Sequence, residues 1–214
     1  MLLFVTVSDI TIKYAKGAAA LALELFGRVV TAEELAAAVS ALESSAVAVS
    51  KAGHKLIVKV RHRHFKVQER HFFRLPDGSL IVKNEALEKT SKAPADIAIR
   101  SFLKQVEGAR ALGVKRILAL AAGSLAAPGL IGYYLLARFG FDAPLTIDEI
   151  RFLPPPLARA RTLNDLLLLG GKDWWRANGY DRQVFFELAE NSSMMRVLRA
   201  YVAELKQQGR FQTE

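Results

Sequence analysis

The chain has 214 residues and a mass of 23.6 kDa, with 51% hydrophobic and 24% charged residues; it can bury a sizeable core in one domain, or one domain with an appendage, and is too apolar for disorder except at its ends. The absence of cysteine excludes a disulfide framework, a thiolate metal site and a cysteine nucleophile. A net charge of +9 and a pI near 9.9 suit attraction to nucleic acid, an acidic cofactor or an anionic surface.

The opening MLLFVTVSD lacks a basic leader and reads as a strand over residues 1–8 rather than a signal peptide. No later stretch reaches the ~18 uninterrupted apolar residues of a membrane span, so a cytoplasmic protein is expected. AKGAAALALELFG, residues 15–27, favours helix and stops at Gly27. Thr31 with Glu34 forms a capping box before a second helix running to about Leu42. From Ala46 to Lys83 the period changes to two: in KLIVKV, Leu56, Val58 and Val60 take one face and Lys55, Lys59 and Arg61 the other. Pro76-Asp77-Gly78 suits a hairpin turn. Helical spacing returns over 97–112 and ends at Gly113, and RILALAAG, residues 116–123, is apolar on both faces as a central strand would be.

A short helix is expected over 128–141, ending at Gly140, then a strand near Ile147–Leu153 that Pro154, Pro155 and Pro156 break. This divides the chain into a domain of residues 1–153 and a Pro-led extension of residues 154–214. The extension carries Trp174 and Trp175 in a polar loop, one ring expected to anchor it and the other to offer a partner surface. It closes on an amphipathic helix over Ser192–Leu205, expected to pack on the domain. The expected class is α+β: a mixed, mostly antiparallel central sheet flanked by helices, with a helical C-terminal extension.

LKQVEGARALGVKRILALAAG followed by GYYLLARFGFD places a helix, a glycine turn, a central strand and a second helix ending in Gly140-Phe141 in succession. This layout, over residues 97–142, resembles the cofactor-binding half of the GNAT superfamily of N-acyltransferases; GKDWWRANG and the tail are similar to uncharacterised bacterial and phage GNAT-like proteins. The resemblance implies acetyl-CoA as cofactor and transfer of its acyl group to an amine acceptor. Its pyrophosphate would lie on the amides opening the 97–112 helix, at Ile97, Ala98 and Ile99 with Lys92 nearby, since a helix start favours anions. Pantetheine would run along Leu118, Leu120 and Ala121. Here the family's phosphate loop reads Ala93-Pro94-Ala95-Asp96-Ile97-Ala98, where only Ala98 fits and Asp96 stands as a helix cap. The family's thiolate-protonating tyrosine falls at Leu136, with Tyr133 and Tyr134 beside it as substitutes. Glu69 and Glu85 are the candidates for general base.

Between Lys55 and Arg74 stand seven Lys or Arg residues against Glu69 alone, interleaved with aromatics in RHRHFKVQERHFFR. Arg61, Arg63 and Lys66 are therefore candidate anion or nucleic-acid contacts. His62, His64 and His71 invite a metal reading, which the flanking Arg61 and Arg63 oppose; no metal is expected. Two functional readings stay open. One is an acyl-CoA-dependent N-acyltransferase of undefined acceptor. The other is a catalytically inactive binding or assembly module with a protein partner, or a nucleic acid held by the basic strand.

Overall fold

The computed structural model describes residues 3–7, 9–127 and 129–211. Met1, Leu2 and Ser8 of the expected first strand, and Pro128 of the expected 128–141 helix, lie outside them. The fold is mixed α+β, and the chain forms two compact units, Met1–Ile117 and Leu118–Glu214. The division falls within a strand, whereas the sequence suggested residues 153 and 154.

In the first unit, β1 (Leu3–Val7) pairs antiparallel with β2 (Ile10–Tyr14), and β2 lies parallel to β3 (Ala46–Ala52). The parallel step is made by two helices, α1 (Ala18–Phe26) and α2 (Ala32–Ala38). From β3 the chain runs as an antiparallel meander through β4 (Lys55–Arg61), β5 (Phe65–Arg74) and β6 (Leu80–Lys89). The sheet is thus mixed and mostly antiparallel, as the period-two sequence predicts. Sequence reading did miss β2: ITIKY alternates buried Ile10, Ile12 and Tyr14 with exposed Thr11 and Lys13.

Alternation gives this sheet two unlike faces. Ile12, Val49, Val58, Arg70 and Phe72 point to one side, where α1, α2 and α3 (Ile97–Ala111) pack; Phe26 of α1 stands edge-on to Phe72 with ring centroids 5.5 Å apart. On the same side the Gln68 amide donates to Ser40 Oγ at 2.7 Å, Ser101 Oγ donates to the same hydroxyl at 3.0 Å, and Asn84 and Gln105 exchange two side-chain bonds. Buried polar groups paired in this way fix one docking of α2 and α3. Gly108 of α3 is required there, since a Cβ would overlap the Ala37–Ala38 backbone. Pairing is not complete among the described residues: Ser45 Oγ and Gln68 Oε1 have no partner, and Arg70 is the largest such group in this unit. It is 1% exposed, its Nη1 donates only to the carbonyls of Glu69 and Ala86, and its Nε has no partner. Burial pushes the guanidinium down to about 9.

The local signals read from sequence are present. Thr31 and Glu34 form the capping box, Gly27 takes φ 69° behind α1, and Gly78 takes φ 80° in the Pro76–Gly78 turn. Asp96 departs from its expected role. It precedes α3 but sits in helical φ/ψ rather than the extended conformation a side-chain cap needs, and its carboxylate meets Arg100 Nε at 2.6 Å.

Strand β7 (Arg116–Ala121) begins after Lys115 N–H donates to Leu80 O at 2.8 Å. It is not buried on both faces: Ile117, Ala119 and Ala121 are covered while Leu120 is 49% exposed, as for a strand with one covered side.

The second unit is mainly helical: α4 (Gly132–Arg138), α5 (Ile147–Arg151), a 3-10 turn (Pro155–Leu157), α6 (Leu163–Leu168), α7 (Lys172–Asn178) and α8 (Ser193–Gln207), with β8 (Arg182–Glu187) between the last two. Two expectations are corrected. The strand near Ile147–Leu153 is helix α5, because Thr146 and Glu149 form a capping box. KDWWRAN is helix α7 rather than a loop, which buries Trp175 completely and leaves Trp174 partly exposed. Helix α8 starts at its Ser192 cap as expected and buries Met194, Val197, Leu198 and Leu205. Gly140 takes φ 92° behind α4, where a Cβ would overlap Met194 O.

Candidate functional site

In the first unit, two groups of expected site residues can be judged. At the start of α3, Ile97, Ala98 and Ile99 are 7%, 5% and 3% exposed. The Ile97 amide already donates to Pro94 O at 3.2 Å, and the Asp96 carboxylate with its Arg100 partner stands beside this helix end. The Ile97 amide is thus engaged, and the Asp96 carboxylate stands near the place where a phosphate would approach. Lys92 is exposed in the preceding turn.

The base candidates do come together, through a residue the sequence had offered only as a metal ligand. His71 lies on β5 two residues after Glu69 and so shares its face, and its Nε2 meets Glu69 Oε1 at 2.7 Å. The β5–β6 register shifts between Glu69 and Arg70, where Glu69 opposes Ala86 and Arg70 opposes Asn84, leaving Glu85 as the bulged residue. This bulge turns Glu85 toward His71, with Oε2 3.7 Å from Nδ1. Lys59 closes on Glu69 at 3.2 Å and Lys83 on Glu85 at 2.7 Å. Burial works to raise the Glu69 carboxyl, but the bonds from His71 and Lys59 outweigh it and hold the group below its ordinary value. The carboxylates use opposite ring nitrogens and do not converge on one point. Among the described residues no group of three His, Cys, Asp or Glu side chains is arranged to hold a metal ion.

Beyond this cluster the same sheet face is exposed and basic. Thr11 and Lys13 of β2, Ala46 and Ala48 of β3, and Lys59 and Arg61 of β4 are exposed. The registers set Lys13, Ala48, Lys59 and Glu69 abreast, then Ser50, Ile57, His71 and Lys83. Lys55 Nζ lies over the Phe73 ring, 5.4 Å from its centroid. Of the expected anion contacts, Arg61 ends β4 on this face, Arg63 is exposed in the following turn, and Lys66 is engaged by Glu88 at 2.6 Å. In the same turn the His62 and His64 rings meet edge-on, centroids 5.0 Å apart. Burial, then the charges of His64 and Arg63, push His62 below its ordinary value. Lys13 was missed because β2 was missed; its signal was the ITIKY alternation.

In the second unit, Tyr133 is 4% exposed and its hydroxyl donates to Arg176 O at 2.8 Å. Tyr134 accepts from Arg138 Nη1 at 3.0 Å, and Arg138 in turn meets Glu204 at 2.7 Å. Both phenols are thus engaged in packing α4 against α7 and α8. Of the strand positions expected to carry pantetheine, Leu118 is half-buried, Leu120 exposed and Ala121 buried. Among the described residues no helix is long and apolar enough to cross a membrane.

No family model matches the sequence, and no curated protein or solved structure does.

Proposed function

We propose that this chain is a non-catalytic binding module, an α+β protein with GNAT-like element order that uses the uncovered basic sheet face of its first unit to take an acidic partner in the cytoplasm. The observation that carries this reading is the asymmetry of the sheet. Three helices cover one face, while the other presents five cations, Lys13, Lys55, Lys59, Arg61 and Lys83, against the carboxylates Glu69, Glu85 and Glu88, of which Glu69 pairs with Lys59 and Glu85 with Lys83. An excess of cations on one face raises the local concentration of an oppositely charged partner. The engaged Ile97 amide and the Asp96 carboxylate beside it argue against a pyrophosphate seat at the start of α3.

The test is binding of labelled heparin, a generic polyanion, to the whole chain at rising salt. Measurable binding that weakens with salt, and by tenfold or more in Lys59→Glu/Arg61→Glu, is expected. Equal binding by wild type and variant would end the proposal.

Acyl-CoA-dependent N-acyltransfer is the second reading, favoured by Glu69 and Glu85, the two candidate bases for an amine acceptor, standing on either side of His71. Calorimetric titration with acetyl-CoA decides it: saturable heat supports it, and neither heat nor thermal shift at millimolar ligand removes it.

A further inference from the structure

We infer that the acidic partner of this face is single-stranded nucleic acid, recognised through its bases as well as its phosphates. The inference rests on the binding-module reading and adds the partner's chemistry.

A polyanion without bases, or an acidic peptide, asks only for cations. This face also offers apolar and ring-bearing side chains set among them. Ile57 and His71 lie abreast in one row, and Phe73 is held in the next beneath Lys55. Ile57 and Phe73 are only partly buried and so have area to give to a ring laid against the sheet, whereas the His71 side chain is 15% exposed. Glu69 and Glu85 discriminate further. They would repel an acidic protein and a phosphate alike, but a nucleic acid also brings base amino groups, donors that a carboxylate accepts. Glu85 is the more available, with a side chain 39% exposed.

Geometry favours a single strand over a duplex. Same-face residues along a strand lie roughly 6.5–7 Å apart and neighbouring strands about 4.8 Å apart, so Lys59 and Arg61 form a short cationic step beside the row of Ile57 and His71. Exposed Ala46 and Ala48 on β3 leave the ground between Lys13 and Lys59 low, and an extended backbone can lie there with its bases turned toward β5. Paired bases in a duplex have no free faces to present. Arg63, in the turn after β4, continues the cationic edge.

The experiment is fluorescence anisotropy of the whole chain at low salt, using fluorescein-labelled single-stranded DNA and RNA of mixed sequence. Unlabelled competitors are an abasic oligonucleotide of the same phosphate count, the matching duplex, heparin and polyglutamate. The expected result is competition by single strands at least tenfold stronger than by the abasic strand or the duplex, and at least a fivefold loss of affinity in Phe73→Leu, which keeps an apolar side chain. If the abasic strand competes as well as the intact one, base recognition is overturned while the binding-module reading stands. If polyglutamate outcompetes every oligonucleotide, the partner is an acidic protein and the inference is likewise overturned. If neither heparin nor any oligonucleotide binds, both readings fail.

Discussion

Tyr133 and Trp175 clamp one another: the Trp175 indole N–H donates to the Tyr133 carbonyl at 3.0 Å, and the Tyr133 hydroxyl donates to the carbonyl of Arg176, the residue after Trp175. Both side chains are buried, Tyr133 at 4% and Trp175 at 0% exposure. Trp175→Ala should therefore cost about 3–5 kcal/mol and Tyr133→Phe about 1 kcal/mol in denaturant unfolding. Since the phenol is spent on packing, Tyr133→Phe should leave any acyl transfer unchanged; a large fall in turnover without loss of stability would restore it as an acid.

Gly108 is where α2 and α3 approach too closely for a side chain. Gly108→Ala would gain helix propensity elsewhere, but here the overlap with backbone dominates, and a loss of about 1–3 kcal/mol is expected. Chemical denaturation of this variant beside wild type measures the net effect, and a gain in stability would show that the backbone yields at this contact.

Arg70 carries a buried charge, and no carboxylate among the described residues pairs with it. Replacing such a group by an apolar one of similar length removes a desolvation cost. Arg70→Met should unfold at the same or a higher denaturant concentration than wild type, an unusual outcome for a buried substitution; clear destabilisation would show that the two carbonyl contacts outweigh the burial.

Glu34 supplies a pH dependence of known sign. The Arg28 guanidinium first, then the Thr31 amide, hold its carboxyl down to about 2 from 4.5. A depressed acid stabilises the folded state above its unfolded value, and that contribution disappears as pH falls from 4.5 through about 2. Thermal melts across this window should show Glu34→Gln falling less steeply than wild type.

Strong local chemistry made much of the fold legible. Thr31 with Glu34, the turn glycines Gly27, Gly78 and Gly140, and the alternation of Lys55 to Arg61 each fix a backbone choice by themselves. Where reading failed, the signal was present but outvoted. Thr146 and Glu149 repeat the capping pattern of Thr31 and Glu34, yet the segment was read as a strand. ITIKY alternates cleanly but is short, and β8 in RQVFFE was not recognised. The site was less legible because it depends on register. No spacing along the chain says that a bulge on β6 brings Glu85 to His71, or that Lys13 stands level with Lys59. Asp96 resembled a helix cap until its backbone angles and Arg100 claimed its carboxylate elsewhere.

The parallel pairing of β2 with β3 has a kinetic consequence. β3 to β6 are joined by short turns and can assemble as successive hairpins, but β2 reaches β3 only after the chain from Tyr14 to Ala46 has wound into α1 and α2. The N-terminal hairpin is therefore the late arrival in folding. Until it docks, β3 is an open rim bearing unpaired amides and carbonyls, a template to which another newly made copy could add.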